Sequence, residues 1–184
     1  MPNWCYNHVT IDGPSVVLRS IGEKAVANGH GQELSFLRAF IPMPEEYESL
    51  EGYNSGGYEW CINNWGTKWA ESSIEMTAEN FGDTGQIIST FDSPWAPPFT
   101  GYDKISELIP ELTIIHYWDE PGMQFCGIRV TKAGEEIMIE EVFDENYPYV
   151  SWEEEDAEQD FYDQVNGLRD RLFSAANEAI RNLK

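Results

Sequence analysis

The sequence predicts an α+β domain, namely a ferredoxin-like antiparallel sheet with helices on one face, an extra β-hairpin and a C-terminal helix. Two-residue alternation of apolar side chains recurs in several segments that are rich in β-branched and aromatic residues, as expected for strands. Two segments with helical spacing lie between those strands, and glycine or proline turns separate the others. The resulting order, strand–helix–insert–strand–strand–helix–strand, is typical of a ferredoxin-like sandwich.

Length and charge set limits on function. The chain has 184 residues, of which 41% are hydrophobic, so one domain with a real core is expected. It carries 11 basic and 33 acidic residues, for a net charge of −22. A field of this sign repels phosphate, which disfavours direct binding to nucleic acid or to an anionic membrane and favours either basic partners or simple solubility. Three widely separated cysteines and the absence of a long apolar run predict free thiols in a cytoplasmic protein.

The first strand is predicted in "NWCYNHVTID", because a "DGP" turn follows it. Its alternation places Cys5, Val9 and Ile11 on one face, and the opposite face holds Trp4, Tyr6, His8 and Thr10. The next segment, "SVVLRSIGEKAVANG", follows Pro14 and has apolar residues three and four positions apart, which predicts a helix that ends near Gly29.

A tryptophan-rich insertion is predicted over about residues 30–70. Pro42 and Pro44 interrupt "LSFLRAFIPMPEEY", so this part is expected to be extended and to lead into a loop. The Gly/Ser/Asn-rich "ESLEGYNSGGYE" predicts a mobile surface loop. A short helix is then expected from about Tyr58 to Trp65, with Gly66 as its stop.

The remaining segments complete a domain over residues 1–143. "SSIEMTAENF" and "GQIISTFDSPW" predict a hairpin, and "PPFTGYDKISELIP" predicts a helix. "LTIIHYWD", "QFCGIRVTK" and "EEIMIEEVF" then predict an antiparallel meander.

The tail, residues 144–184, is predicted to be an acidic segment followed by an amphipathic helix. Apolar residues recur there at helical spacing, namely Phe161, Val165, Leu168, Leu172, Ala175, Ala179 and Leu183. Such a stripe either packs on the open face of the chain's own sheet or joins two chains in a homodimer. Packing on the sheet is favoured, because the alanines at the end of the stripe allow a close approach.

The motif "WCINNWGTKW" brings three tryptophans within ten residues. Core packing is the favoured interpretation, because an indole ring is usually buried for its area. The functional alternative is an aromatic cleft for a small anionic or aromatic ligand. The candidate residues of that cleft are Trp4, Trp60, Asn63, Asn64, Trp65, Lys68, Trp69, Trp95 and His116.

Evidence for catalysis in the sequence is thin. None of the common nucleotide-binding, zinc-protease or hydrolase motifs occurs. Cys5 and His8 fall on opposite faces of one strand and do not form a nucleophile pair. His8 and His116 on neighbouring strands would be a weak metal-site hypothesis, with Asp119 or Glu120 as a further ligand; hydrogen-bonded imidazoles are preferred. We therefore assign no catalytic residue, metal ligand or cofactor, and a non-enzymatic role is favoured.

The run from Asp144 to Asp163 is dense in carboxylates. Its candidate protein-binding residues are Glu153, Glu154, Glu155, Asp156, Glu158 and Asp160. They could imitate the phosphates of DNA towards a nucleic-acid-binding protein, although such a run is more often only a solvated face.

Several motifs occur in one order between Met1 and Glu141: "MPNWCYNHVTI", "FLRAFIPMPEE", "WCINNWGTKW", "STFDSPWAPP" and "IPELTIIHYWDEPGMQFCG". Together they resemble a family of phage and plasmid proteins with a YubB-type ferredoxin-like domain. The resemblance implies the fold, an origin in a mobile element and a bacterial cytoplasm, and it implies no catalytic or ligand residues.

These observations predict a non-enzymatic accessory protein of a phage or plasmid. The expected partner is a host protein, and inhibition of a nucleic-acid-handling or defence factor through the acidic surface is the leading hypothesis. The alternative is a nucleotide- or sugar-binding protein, or an enzyme, that uses the tryptophan cleft. A homodimer joined by the C-terminal helix is a third possibility.

Overall fold

A computed structural model describes residues 3–27, 34–48, 53–148 and 156–183. Its strands are β1 (Trp4–Pro14), β2 (Ser72–Phe81), β3 (Thr84–Pro94), β4 (Thr113–Glu120), β5 (Phe125–Lys132) and β6 (Glu135–Phe143). Its helices are α1 (Ser15–Ala27), α2 (Phe36–Phe40), α3 (Glu45–Glu48), α4 (Tyr58–Trp65), α5 (Phe99–Leu108) and α6 (Ala157–Arg181). A π-helical turn, Tyr53–Gly57, and a 3₁₀ turn, Asp144–Asn146, complete the assignment.

The strands form one antiparallel sheet in the order β2-β3-β1-β4-β5-β6. The four strands β2-β3-β1-β4, with α1 and α5 as crossovers, have the ferredoxin-like arrangement, and the β5–β6 hairpin extends the sheet beyond β4. The predicted fold class is therefore confirmed.

One face of the sheet carries the main core. The alternation predicted for β1 is correct, because Cys5, Val9 and Ile11 are fully buried on the face that α1 and α5 cover. From β3 and β4, Ile87 and Ile114 join this core. Apolar burial of this kind is the main stabilising term of the domain.

The opposite face is covered by α6 over β4, β5 and β6. Leu172 and Ala176 are fully buried there against Ile128 and Val130 of β5. The helix thus packs on the sheet of its own chain, as favoured from the sequence. A dimer joined by tail helices would need another face of α6, because this apolar stripe is occupied. No described helix combines the length and apolar character that a bilayer span requires.

The segment predicted to be extended is partly helical, so that prediction was wrong. Helices α2 and α3 lie on either side of the prolines, which confine the non-helical backbone to Ile41–Pro44. Ser35 caps α2, since its Oγ accepts a hydrogen bond from the Arg38 N–H at 3.0 Å. Part of the predicted mobile loop, residues 49–52, lies outside the described residues.

Glu71 completes the cap of α2 from a distant part of the chain. The N–H groups of Phe36 and Leu37 donate to its Oε1 at 3.2 and 3.0 Å. The hydroxyl of Tyr102 donates to the same oxygen at 3.2 Å, and the hydroxyl of Ser35 donates to Oε2 at 2.6 Å. Burial raises the pKa of this carboxyl, while the Ser35 hydrogen bond is the largest opposing influence. The side chain joins the insertion to α5 through hydrogen bonds in a dry environment.

The three cysteines are free and buried in separate parts of the fold. Cys5 is in β1, Cys61 is in α4, and Cys126 is in β5 beneath the start of α6. Burial raises the pKa of all three thiols, to about 11 for Cys61 and about 12 for Cys126. They remain protonated near neutral pH, as expected for small core residues.

Candidate functional site

The tryptophans predicted to share a cleft are divided between the interior and the surface. Trp65 is fully buried, and its Nε1–H donates to the Ile41 carbonyl at 2.9 Å. Trp60 meets its ring edge-on, with centroids 5.2 Å apart. Helix α4 ends at Trp65 because Gly66 adopts φ +83°, so Trp69 leaves the helical stripe. Trp65 is a core residue.

A small cleft of about 220 Å³ remains beside Trp65. It is lined by Arg38, Met43, Tyr47, Glu48, Cys61, Trp65 and Trp69. The Arg38 guanidinium lies 5.5 Å from the centroid of the Trp65 ring. Of the nine residues predicted for the cleft, only Trp65 and Trp69 line it, and the space is below the usual size of a small-molecule site.

Three other predicted residues meet Trp69 at the surface, where β1 begins and β3 ends. The rings of Trp4 and Trp69 are 6.0 Å apart, and Lys68 Nζ is 5.1 Å from the Trp95 ring centroid. Trp95 donates its backbone N–H to the Asn3 carbonyl at 3.0 Å, next to Trp4. We call Trp4, Lys68, Trp69 and Trp95 the aromatic ledge. Trp4 is 45% exposed and Trp95 is 39% exposed, so the ledge presents indole surface to solvent.

Trp95 is held in an unfavourable backbone conformation. Its φ is +71°, in the left-handed region that bulky residues rarely occupy. Such a conformation costs on the order of 1–3 kcal/mol and is common at ligand sites. Stability alone does not explain a strained and exposed indole, so this residue is the strongest sign of function in the ledge.

Polar groups border the ledge along the sheet. Tyr6 lies on the same strand face as Trp4 and is 40% exposed, with Asp92 as its cross-strand partner. Burial raises the pKa of Tyr6, and the nearby charge of Arg169 on α6 lowers it. Burial also raises the pKa of Asp92. The border therefore offers a hydroxyl and a carboxyl on the strand face of Trp4, and the charge of Arg169 acts on that hydroxyl.

His116 does not line a ligand cleft. It is 3% exposed and lies among the rings of Phe91, Phe99, Tyr102 and Trp118, with centroid distances of 6.1, 5.3, 5.3 and 6.5 Å. Its Nε2 is 2.9 Å from Asn7 Oδ1. The Asn7 amide nitrogen donates to the Cys5 carbonyl and the Ser93 hydroxyl, so Oδ1 is the acceptor and Nε2 carries the proton. Desolvation lowers the pKa of His116 to about 3.

The weak metal-site hypothesis fails on the register of the strands. His116 pairs with Val9 and shares its face, whereas His8 pairs with Tyr117 on the face of α6, where its ring meets Phe173 at 5.6 Å. The two imidazoles therefore point to opposite sides of the sheet. Among the described residues, no group of three or more His, Cys, Asp or Glu side chains is placed to hold a metal ion.

The two predicted asparagines lie on α4, away from the ledge. Asn64 donates to the Trp60 carbonyl at 2.9 Å and accepts from Lys104 at 2.9 Å. Asn63 is exposed. Their contacts connect α4 with α5 and are accounted for by the fold.

The predicted acidic surface is partly described. Glu153, Glu154 and Glu155 lie outside the described residues, whereas Asp156, Glu158 and Asp160 are exposed at the start of α6. Glu158 and Asp160 occupy its first turn, where the helix dipole favours negative charge.

A groove of about 870 Å³ follows between β6 and α6. Glu140, Glu141 and Glu145 line one side of it, and Gln164 and Arg171 line the other. Arg171 forms an ion pair with Glu140. Glu141 and Glu145 are exposed carboxylates beside this pair. We call Glu141, Glu145, Asp156, Glu158 and Asp160 the α6–β6 acidic surface.

Sequence reasoning missed several of these residues. Strand alternation placed Tyr6 on the same face as Trp4, but Tyr6 was not included among the candidate residues of the cleft. Glu141 was assigned to a strand, and Glu145 was placed in the acidic run from Asp144 to Asp163 but not among its candidate binding residues. Glu71 and Arg38 gave no signal, because their partners lie far away in the sequence.

Comparisons with known proteins agree with this architecture. The family model described as a ferredoxin-like domain in Api92-like protein matches residues 64–164, more than half of the 184-residue chain. The crystal structure of a protein api92 from Yersinia pseudotuberculosis superposes with a TM-score of 0.53 and 12% identity, covering 78% of this chain and 99% of that chain. At this identity the likeness concerns the fold alone. No curated protein sequence matches this chain at a significant level.

Proposed function

The chain belongs to the family with a ferredoxin-like domain in Api92-like protein, and we propose that it is a non-enzymatic protein that binds a basic partner protein through the α6–β6 acidic surface. The supporting observation is a groove of about 870 Å³ lined by the exposed carboxylates of Glu141 in β6 and Glu145 in the 3₁₀ turn. Further exposed carboxylates lie in the first turn of α6, and Phe161 in the next turn packs against the cluster that contains Val142 of β6. Because α6 packs on the sheet, these carboxylates belong to a folded surface.

The charge of the whole chain supports a basic partner. A net charge of −22 accelerates encounter with basic proteins and repels nucleic acid. Proteins that handle nucleic acids present basic surfaces, so an acidic groove competes with their substrate. Inhibition of such a host protein, by an accessory protein of a phage or plasmid in a bacterial cytoplasm, is the specific form of the proposal.

Charge reversal in the groove tests this proposal. The double variant E141K/E145K is expected to weaken binding of a basic protein recovered from host lysate by about tenfold or more, because surface charge pairs act together. The affinity of the unchanged chain is expected to fall steeply between low and high salt. The measurement is titration of the purified partner at two ionic strengths.

The control variant is E107K/E111K, which makes the same change of net charge at exposed residues at and beyond the end of α5. It is expected to bind almost as well as the unchanged chain. Equal loss in both variants would mean that only net charge matters, and salt-insensitive binding would exclude the electrostatic mechanism.

A second candidate function is supported by the aromatic ledge. Exposed indoles bind the faces of sugars and nucleobases, and Lys68 beside Trp95 favours an anionic ligand such as a nucleotide. The strained backbone of Trp95 is the specific observation behind this candidate.

Substitution of Trp95 separates this function from stability. W95N is expected to leave the free energy of unfolding unchanged or to raise it by up to about 1 kcal/mol, because asparagine tolerates φ +71° better than tryptophan. It is also expected to abolish quenching of tryptophan fluorescence by AMP or N-acetylglucosamine, whereas W60F retains it. A loss of stability above about 2 kcal/mol would show that the ring is structural.

A further inference from the structure

Strand β2 forms one edge of the sheet and pairs only with β3 in the part of the chain that the structure describes. It spans ten residues, Ser72–Phe81. In an antiparallel ladder, about half of the backbone N–H and C=O groups of an edge strand point away from its neighbour. β2 therefore offers a row of backbone donors and acceptors on which another strand can build.

An apolar trough runs beside this edge. Helix α1 packs mainly on β1 and β3, and a space of about 470 Å³ lies between it and β2. Leu18, Gly22 and Val26 of α1 line one side, and Met76 and Ala78 of β2 line the other. Three charged residues also border it, namely Arg19, Glu23 and Glu79. The trough itself is therefore mostly apolar, and its border carries one basic and two acidic side chains.

The two faces of β2 differ in chemistry. Ile74, Met76 and Ala78 face the side of α1, and Glu75, Thr77 and Glu79 face the other side of the sheet. A strand added to this edge would alternate in the same way. Side chains on one of its faces would enter the trough, and those on the other would lie beside the two glutamates.

We propose that the β2 edge binds an extended segment of a partner protein in which apolar and basic residues alternate. Backbone hydrogen bonds to β2 would supply affinity, apolar side chains would fill the trough, and lysine or arginine would pair with Glu75 and Glu79. This is recognition by β-strand addition. It goes beyond the proposed function, because β2 and the α6–β6 acidic surface lie at opposite ends of the strand order.

A second copy of this chain fits the edge poorly. Antiparallel pairing of two β2 strands about Thr77 sets Glu75 of each copy opposite Glu79 of the other, and like charges placed directly opposite are destabilising. Each copy also carries a net charge of −22. A bulge between Ser72 and Glu75, with φ +53° at Ser73, further interrupts the flat edge that self-association needs. The same charges that oppose a second copy attract a basic strand.

The test uses a fluorescent nine-residue peptide in which lysine and valine alternate, added to the full chain. Its anisotropy gives the affinity, and amide hydrogen exchange gives the location. The expected result is binding together with slower exchange at alternate amides of β2. A peptide of the same composition with the lysines in one block keeps the charge and loses the alternation, so it is expected to bind at least about tenfold more weakly.

Three variants with the same change of net charge, and one with a charge in the trough, complete the design. The affinity of E75K/E79K for the lysine–valine peptide is expected to be lower by about tenfold or more. Its affinity for a glutamate–valine peptide is expected to rise, because the charge complementarity is reversed. E107K/E111K and E141K/E145K are expected to keep the original preference. A charge in the trough, A78E, at an exposed position of β2, is expected to weaken both peptides.

The possible outcomes are distinct. Binding without protection of β2, or an equal loss in all three charge variants, would overturn the proposal and leave only general attraction to an acidic protein. Formation of dimers in place of peptide binding would assign the edge to a second copy. The proposed function of the α6–β6 acidic surface is tested separately, by binding of the basic partner protein to E141K/E145K. A failure there would not affect the result with the peptides.

Discussion

Replacement of Glu71 by alanine is expected to lower the free energy of unfolding by about 3–5 kcal/mol, which is near the upper end for a single substitution. The carboxylate accepts hydrogen bonds from two backbone N–H groups of α2 and from the hydroxyls of Ser35 and Tyr102. Alanine removes every acceptor and leaves these donors in a dry interior. The measurement is urea unfolding followed by circular dichroism.

Glutamine at the same position is the matched control. Its carbonyl oxygen still accepts from Phe36, Leu37 and Tyr102, and its amide nitrogen can donate to the Ser35 hydroxyl. E71Q is therefore expected to cost only about 1 kcal/mol. If E71Q cost as much as E71A, the charge of the carboxylate and not its hydrogen bonds would hold the cap.

Acidification is expected to destabilise the chain through His116. The pKa of this imidazole is lowered to about 3 in the folded state by burial, whereas an unfolded histidine titrates near its ordinary value of 6.5. Between these values the unfolded state binds the proton and the folded state does not. The contribution of neutral His116 to the free energy of unfolding is therefore fully present above about pH 6.5. It declines by about 1.4 kcal/mol for each unit of pH below that value.

The comparison of His116→Phe with the unchanged chain isolates this effect. Phenylalanine fits among the surrounding aromatic rings and does not titrate, although it leaves Asn7 Oδ1 without the imidazole donor. Its free energy of unfolding is expected to fall less steeply between pH 6.5 and 4. Carboxyls with raised pKa values, such as Glu71, have the opposite pH dependence and cancel in the difference. Parallel curves for the two proteins would contradict the prediction.

Local sequence patterns were sufficient to predict the sheet but insufficient to predict the helices of the insertion. The two faces of β1 follow directly from alternation, since Cys5, Val9 and Ile11 are fully buried in the main core, whereas Trp4 and Tyr6 on the other face are exposed. Helix α2 was missed because part of its cap, Glu71, lies 34 positions after Leu37, a distance over which no local pattern operates. The prolines were correctly seen as breaks, but helices can form on both sides of a break.

The candidate site could be predicted only in part from the sequence, for a similar reason. The cluster of tryptophans is visible in the sequence, but the separation of Trp65 from Trp69 depends on the left-handed turn at Gly66. The position of His116 depends on strand register, since it pairs with Val9 and so shares the packed face. A shift of one residue would have placed it beside α6.

The three buried thiols can be used to measure local opening of the fold. Each cysteine is shielded by a different unit, the central sheet for Cys5, the insertion for Cys61 and the tail helix with β6 for Cys126. A protonated, inaccessible thiol reacts with an alkylating reagent only while its cover is displaced. The relative alkylation rates of the three sites therefore rank how often each part of the fold opens, without any substitution in the chain.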